Sequence, residues 1–184
     1  MREHATQDFT VYSSTVTDVM HYCLAFGPKA GVRVANSRRP VSGIGSLCYN
    51  YAFRGYRPLT IIDDRPAARV GYGLQAYPSQ LLALLAQSRV KPDYPVRVGQ
   101  FRGTVADLVK HEQSNCHAEV DMGLKLVGLS YYVGTGEEWN SRYGQTWSID
   151  RMIRTEMDKP FVEAACGGLN RLMGLSYAVK RRVK

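Results

Sequence analysis

Asp18 and His21 stand three positions apart in the segment Thr17–Phe26. This spacing puts two side chains within reach of each other on one face of a helix. A carboxylate beside an imidazole can exchange protons near neutral pH, so the pair is a candidate acid–base site. The alternative is a polar pair that faces solvent or lines a cleft without reacting.

Cys166 is followed directly by Gly167 and Gly168. A thiol where a helix begins can have a lowered pKa and act as a nucleophile, and the glycines would let backbone N–H groups approach a ligand. The alternative is a small buried residue at a tight contact between helices. With Asp18 and His21, Cys166 completes the set of candidate catalytic residues.

The segment with the most possible metal ligands contains Cys116, His117, Glu119 and Asp121. Zinc would need three or four of these side chains to converge on one point. The alternative is a polar helix start, where the helix dipole favours acidic residues. We predict no metal and no cofactor, and we keep Asp121 as a candidate ligand-binding residue.

Further candidate ligand-binding residues lie in two long connections. Arg69 and Tyr72 belong to the stretch 55–77, which is rich in Gly, Pro, Arg and Tyr and is predicted to be a long ordered loop. It suits either a site for a sugar or another polar ligand, or a loop hydrogen-bonded to itself. Trp147 follows the predicted loop 134–146 and either packs under the next helix or offers a stacking platform.

The elements that must position these residues form an internal repeat. The segment Leu126–Val133 matches Leu172–Val179 at an offset of 46 residues, and Thr104–Lys110 resembles Ser148–Arg154 at an offset of 44. Glu112 then aligns with Glu156, and Lys125 aligns with Arg171. Each unit is predicted to be two helices, with Thr104 and Ser148 as N-caps of the first.

Gly128 and Gly174 fall inside the second helix of each unit, which predicts that helices approach each other closely there. Further helices are predicted over Thr17–Phe26, Ile44–Phe53 and Pro78–Gln87, and the connector Lys91–Val98 could hold a short strand. The expected architecture is one all-α domain over 1–184, with a loose segment at 1–14. Its paired-helix repeats would form a curved or incomplete α/α toroid of about four hairpins.

Three segments carry a resemblance to a known family: Ser79–Ala86, Gly144–Ile149 and Ala165–Leu172. With the paired-helix period, they resemble the α/α-toroid repeats of prenyltransferases and squalene cyclases, and most closely those of bacterial, mostly uncharacterised members. The resemblance implies an all-α toroid with ligand-binding residues at the ends of its inner helices. It adds Gln80 and Asn170 to the candidate ligand-binding residues; Asn170 stands where the bacterial members have a histidine.

The chain departs from the catalytic motifs of that family. The Asp-x-Asp-Asp motif of terpene cyclases and the Asp-x-Cys motif of zinc prenyltransferases are both absent. We therefore expect a domain that binds a small molecule or protein partner at a concave face. The alternatives are an enzyme of the toroid class with an acid–base or thiol site, and a binder of an anionic partner.

The composition limits the partners and the compartment. The net charge is +8, but the basic residues cluster only at Arg38–Arg39 and in the tail Lys180–Lys184, so a nucleic-acid partner is not expected. The most apolar run, Leu81–Ala86, is far shorter than the roughly 20 residues of a membrane-spanning helix. Because no signal peptide is visible, we expect a cytoplasmic protein. An oligomer, or a place in a longer chain, stays open.

Overall fold

The computed structural model describes residues 10–34, 39–160 and 164–182. Over these residues the chain alternates helices with short β-hairpins. The helices are α1 (Val16–Phe26), α2 (Gly43–Cys48), α3 (Gln80–Gln87), α4 (Val105–Ser114), α5 (Gly123–Tyr132), α6 (Ile149–Asp158) and α7 (Leu169–Arg182).

Four two-stranded antiparallel sheets lie between the helices in the described part of the chain. They are β1–β2 (Gly31–Val32, Val41–Ser42), β3–β4 (Leu59–Ile62, Arg65–Ala68), β5–β6 (Pro95–Val98, Phe101–Thr104) and β7–β8 (Glu138–Asn140, Thr146–Ser148). The chain is therefore a mixed α/β domain. The prediction of an all-α fold with an α/α toroid of about four helical hairpins is wrong.

The possible short strand in Lys91–Val98 corresponds to β5, but the other strands were not predicted because they are only two to four residues long, too short for a clear alternation of polar and apolar residues. The predicted loop 55–77 contains β3–β4. Its turn residues Asp63 and Asp64 both have positive φ, 48° and 57°, as a two-residue type I′ hairpin turn requires. The predicted loop 134–146 likewise contains β7 and the turn that leads to β8.

The predicted N-caps Thr104 and Ser148 are confirmed, whereas the helix predicted over Ile44–Phe53 ends at Cys48. Three hairpins lead directly into helices, because the last residue of β2, β6 and β8 is the N-cap of α2, α4 and α6. The Ser148 hydroxyl accepts a hydrogen bond from Arg151 N–H at 3.2 Å, and the Thr104 N–H donates to the Asp107 carboxylate at 2.9 Å. These caps fix where α4 and α6 begin.

Helices α3, α5 and α7 pack side by side, with α5 in the middle. The predicted close approach at the two helix-interior glycines is confirmed. A Cβ atom on Gly128 would lie 2.8 Å from Leu82 Cγ of α3, and one on Gly174 would lie 2.2 Å from the carbonyl oxygen of Gly123. Glycine thus lets α5 contact both neighbours directly.

The outer face of α7 is apolar and exposed. Leu172, Met173 and Val179 are exposed, whereas their repeat equivalents in α5 (Leu126, Val127 and Val133) are buried. The difference arises because α7 packs on α5, while no described residue packs in the same way on α7.

The predicted loose segment 1–14 falls partly outside the described residues, which begin at residue 10. Val11 is buried, and its N–H donates to the carbonyl of Arg33 at 3.1 Å. Among the described residues, no helix is both long and apolar enough to cross a membrane.

Candidate functional site

The two candidate catalytic residues of α1 are not bonded to each other. Asp18 forms a capping box with Thr15, whose N–H donates to the Asp18 carboxylate at 2.8 Å. His21 is exposed on the same helix. Asp18 therefore acts in the structure as a helix cap.

Cys166 is exposed and lies in the left-handed region, with φ 55°. Gly167 has the same left-handed conformation, so the thiol stands before α7 rather than within its first turn. The Tyr77 hydroxyl donates to Cys166 Sγ at 3.4 Å. This contact links the segment before α7 to the segment before α3.

The candidate ligand-binding residues Arg69, Tyr72 and Gln80, before and at the start of α3, form no hydrogen bonds with one another in the described part of the chain. Tyr72 is 87% exposed, and Arg69 is exposed and donates to the carbonyl of Arg57 at 3.5 Å. Gln80 Oε1 accepts a hydrogen bond from the N–H of Ala76 at 2.9 Å. Gln80 thus orders the chain at the entry to α3.

Trp147 is completely buried, and the guanidinium of Arg151 lies 4.5 Å from the centroid of its ring. Asn170 is partly buried in the first turn of α7, where its backbone packs against Gly123. Both residues therefore support the packing of α6 and α7.

The possible metal ligands Cys116, His117, Glu119 and Asp121 do not converge on one point. Cys116 is buried, and burial raises the pKa of its thiol to about 11. His117 packs against the ring of Tyr143 at 4.8 Å, and the Asp121 carboxylate accepts from Gly123 N–H at 2.8 Å. Within the described residues, no three His, Cys, Asp or Glu side chains are arranged to hold a metal ion.

Asp121 and His117 do line a cavity of about 280 Å³. The cavity lies between the β3–β4 hairpin, the starts of α3 and α5, the end of α4 and the β7–β8 turn. One part of its lining is apolar (Ile62, Ala68, Val70, Pro78, Val120), and the rest carries polar and charged groups (Gln75, Ser79, His111, Glu112, Asn115, His117, Asp121, Lys125, Arg142, Tyr143). A small cleft with a mixed apolar and polar lining can serve as a site for a small molecule.

The start of α3 gives one hydroxyl to this cavity. Ser79 is the N-cap of α3, but it has a left-handed backbone, φ 63°, and its side chain does not cap the helix. Instead Gln75 Oε1 accepts from Leu81 N–H at 2.9 Å, and the Ser79 hydroxyl donates to Glu112 Oε2 at 2.7 Å. A left-handed non-glycine residue is costly and often marks a functional position.

Glu112 and Lys125 form an ion pair in the wall of the cavity. Lys125 Nζ lies 3.0 Å from Glu112 Oε2 and also donates to the backbone carbonyls of Glu112 and Asn115, both at 3.1 Å. These three contacts use all three protons of the ammonium. Burial alone would raise the pKa of Glu112, but the Lys125 ammonium and the Ser79 hydroxyl outweigh it and hold the pKa below its usual value.

The two carboxylate oxygens of Glu112, Oε1 and Oε2, have different hydrogen-bond partners. The bonds from Lys125 and Ser79 both reach Oε2, and none of the described residues bonds to Oε1. The side chain is 14% exposed and lines the cavity. Glu112 therefore offers a charged acceptor to any molecule that enters.

His111 is held in its neutral form. Asn115 Nδ2 donates to the carbonyl of His111 at 2.9 Å and lies 3.0 Å from His111 Nε2. Because a carbonyl can only accept, the amide nitrogen is the donor in both contacts, and the imidazole proton lies on Nδ1. Burial, with the positive charges of Lys125, Arg142 and Arg65, lowers the pKa of His111 despite the opposing charge of Glu112.

Arg142 closes one side of the cavity from the β7–β8 turn. Its guanidinium is paired with the carboxylate of Asp63 in the β3–β4 turn. A second depression of about 360 Å³ adjoins this pair, and it shares Ile62, His111 and Arg142 with the cavity. The two hairpin turns thus form the rim of the site.

Of the residues that line the cavity, the sequence motifs pointed to His117 and Asp121 but not to Ser79, His111, Glu112, Lys125 and Arg142. The alignment of Glu112 with Glu156, and of Lys125 with Arg171, was the available signal. An acidic and a basic residue repeated at almost the same spacing indicate a pair with one structural role in each unit.

Compared with known protein families, with curated proteins and with solved structures, the chain matches none of them. The resemblance to the toroid repeats therefore has no support from these comparisons, and the all-α fold that it implied is wrong. The geometry of the cavity is therefore the basis for assigning a function.

Proposed function

We propose that this protein binds a small polar molecule in the cavity beside Glu112. The observation that carries the proposal is the carboxylate oxygen Oε1 of Glu112, which no described residue bonds although Oε2 is fully engaged. A partly buried charged acceptor is costly unless it is hydrogen-bonded, by water or by a ligand.

The polar groups around Glu112 are preorganised to bind a ligand. The Ser79 hydroxyl, the Lys125 ammonium and the Asn115 amide are each held by hydrogen bonds, so their positions are fixed before a ligand arrives. A preorganised site loses less free energy on ordering when a ligand binds. At about 280 Å³ the cavity suits a molecule of few heavy atoms.

A binding role fits the described site better than the enzyme hypothesis does. The residues on which that hypothesis rests, Asp18, His21 and Cys166, do not line the cavity. Within it, the Nε2 lone pair of His111 already accepts a hydrogen bond from Asn115. Catalysis by Asp18, His21 and Cys166 stays a hypothesis.

The compartment is part of the same proposal. All four cysteines are free thiols, and Cys166 is exposed. Free exposed thiols persist in reducing compartments, which supports a cytoplasmic location.

A protein-observed NMR screen of small polar fragments tests the proposed function. We expect hits that shift the backbone amide signals of Ser79, Glu112 and Gly123, around the cavity. The amides of Ser130 and Tyr131 line a separate cavity of about 240 Å³ and act as the internal control. Hits that shift only the control signals, or a screen without hits, would contradict the proposal.

A further inference from the structure

The second repeat unit contains a closed version of the Glu112 site. Glu156, at the position equivalent to Glu112, is completely buried. Its Oε1 accepts from Met122 N–H at 3.0 Å, and its Oε2 accepts from Arg171 Nε at 3.1 Å. The ammonium of Lys159 also contacts Oε1.

The two sites share the bond from a basic residue and a second bond from the start of a helix. Lys125 and Arg171 each bind the glutamate of their own unit and also donate to the carbonyl of the C-cap residue of the preceding helix. Those C-cap residues are Asn115 after α4 and Lys159 after α6. Each glutamate also accepts from a residue at the start of α3 or α5. The Ser79 hydroxyl donates to Oε2 of Glu112, the oxygen that Lys125 also contacts, whereas the Met122 N–H donates to Oε1 of Glu156, the oxygen that Arg171 does not contact.

The residue at the helix C-cap also differs between the sites. In the second unit the C-cap residue is Lys159, whose Nζ contacts Glu156 Oε1 and donates to the carbonyl of Val120 at 2.5 Å. In the first unit the C-cap residue is Asn115, whose amide is turned to His111. The ammonium that fills the second site is missing from the first, and the cavity is found there instead.

We propose that the ligand of the cavity is a small primary amine, bound as its ammonium by Glu112 Oε1 in the place that Lys159 occupies beside Glu156. This inference rests on the proposed function and names the chemical class of its ligand. The ammonium would donate a hydrogen bond to the unengaged carboxylate oxygen, and a short carbon chain would lie against apolar residues such as Val70, Pro78 and Val120.

The charges around the cavity permit a cation. Lys125 is paired with Glu112, and Arg142 is paired with Asp63, so neither cation of the lining is uncompensated. Asp121 adds a further negative charge. Because His111 is neutral, a bound ammonium would meet no unpaired positive side chain among the residues that line the cavity.

The test compares three probes of equal length: n-propylammonium, n-propanol and propionate. Each is titrated into the wild-type protein at neutral pH, and the amide signals of Ser79, Glu112 and Gly123 are followed by NMR. We expect n-propylammonium to shift these signals with saturation, and the other two probes to have little effect. Equal or stronger binding of propanol or propionate would overturn the amine assignment while leaving the proposed function intact.

Two variants check that Glu112 is the receptor. Glu112→Gln should weaken n-propylammonium binding about tenfold or more, because the charged acceptor is lost. Asn115→Lys should abolish binding in a folded protein, because the new side chain supplies the ammonium, whereas Asn115→Ala should retain it. Unchanged affinity in Glu112→Gln or Asn115→Lys would refute the inference, and a failure of all three probes together with the wider fragment screen would refute both proposals.

Discussion

Glu112 and Glu156 lie 44 residues apart and make the same kind of bridge, but only Glu156 is contacted by a lysine from its own helix end, Lys159. Glu112 joins Lys125 of α5 to the start of α3, and Glu156 joins Arg171 of α7 to the start of α5. The chain thus carries a matched pair of sites, one closed and one open to a cavity. Each site provides the control for experiments on the other.

The first prediction concerns stability. Glu156→Gln should lower the free energy of unfolding by about 3–5 kcal/mol, because it leaves the buried Arg171 and the ammonium of Lys159 without their carboxylate. Glu112→Gln should cost less, about 1–3 kcal/mol, because Gln can still accept from Ser79 and Lys125 keeps two carbonyl partners. Urea denaturation of both variants measures the two losses of unfolding free energy. A larger loss in Glu112→Gln than in Glu156→Gln would be evidence against a closed site at Glu156 and an open site at Glu112.

The second prediction is a pH dependence. The native state holds the pKa of Glu112 below its ordinary value of 4.5, so the unfolded chain takes up the proton more readily. The stability that Glu112 contributes is therefore fully present above about pH 4.5 and is lost as the pH falls through the lower, native pKa. The gap in unfolding free energy between wild type and Glu112→Gln should narrow on acidification from pH 6 to pH 3, and a gap independent of pH would count against the ion pair.

The third prediction concerns the packing of α5 between its neighbours. Gly174→Ala should destabilise the protein by about 3 kcal/mol or more, since the new methyl group would meet the backbone of Gly123, which cannot move aside. Gly128→Ala should cost less, about 1–2 kcal/mol, because the new methyl group meets the side chain of Leu82 rather than backbone, and alanine favours the helix. Thermal unfolding of the two variants compares them; equal effects would show that the close contact at Gly174 is absent.

The fourth prediction concerns the thiols. Burial raises the pKa of Cys23 and Cys116 to about 11 and that of Cys48 to about 12, whereas Cys166 is exposed. An aromatic disulfide reagent should therefore label one thiol rapidly in the native protein and four after denaturation. Cys166→Ser should remove the rapid phase, and a rapid phase that survives this substitution would contradict the assignment.

The sequence was sufficient for most of the helices, since their apolar period and the caps at Thr104 and Ser148 act locally, but the helix predicted over Ile44–Phe53 ends at Cys48. It did not reveal the hairpins, because a turn such as Asp63–Asp64 between four-residue strands is easily taken for a loop. The candidate site was only partly predictable. Asp121 was found from its residue type, whereas the role of Glu112 depends on contacts with Ser79 and Lys125, which lie 33 and 13 residues away along the chain.

The most direct test of the account is a double-mutant cycle between position 115 and Glu112, measured as urea unfolding free energies at neutral pH. If Glu112 Oε1 is an open receptor for a cation, Asn115→Lys should raise the stability of the wild-type protein and give little gain in the Glu112→Gln background. Asn115→Met, of similar length and without charge, is the control and should give no such dependence. An equal effect of Asn115→Lys in both backgrounds would contradict the account.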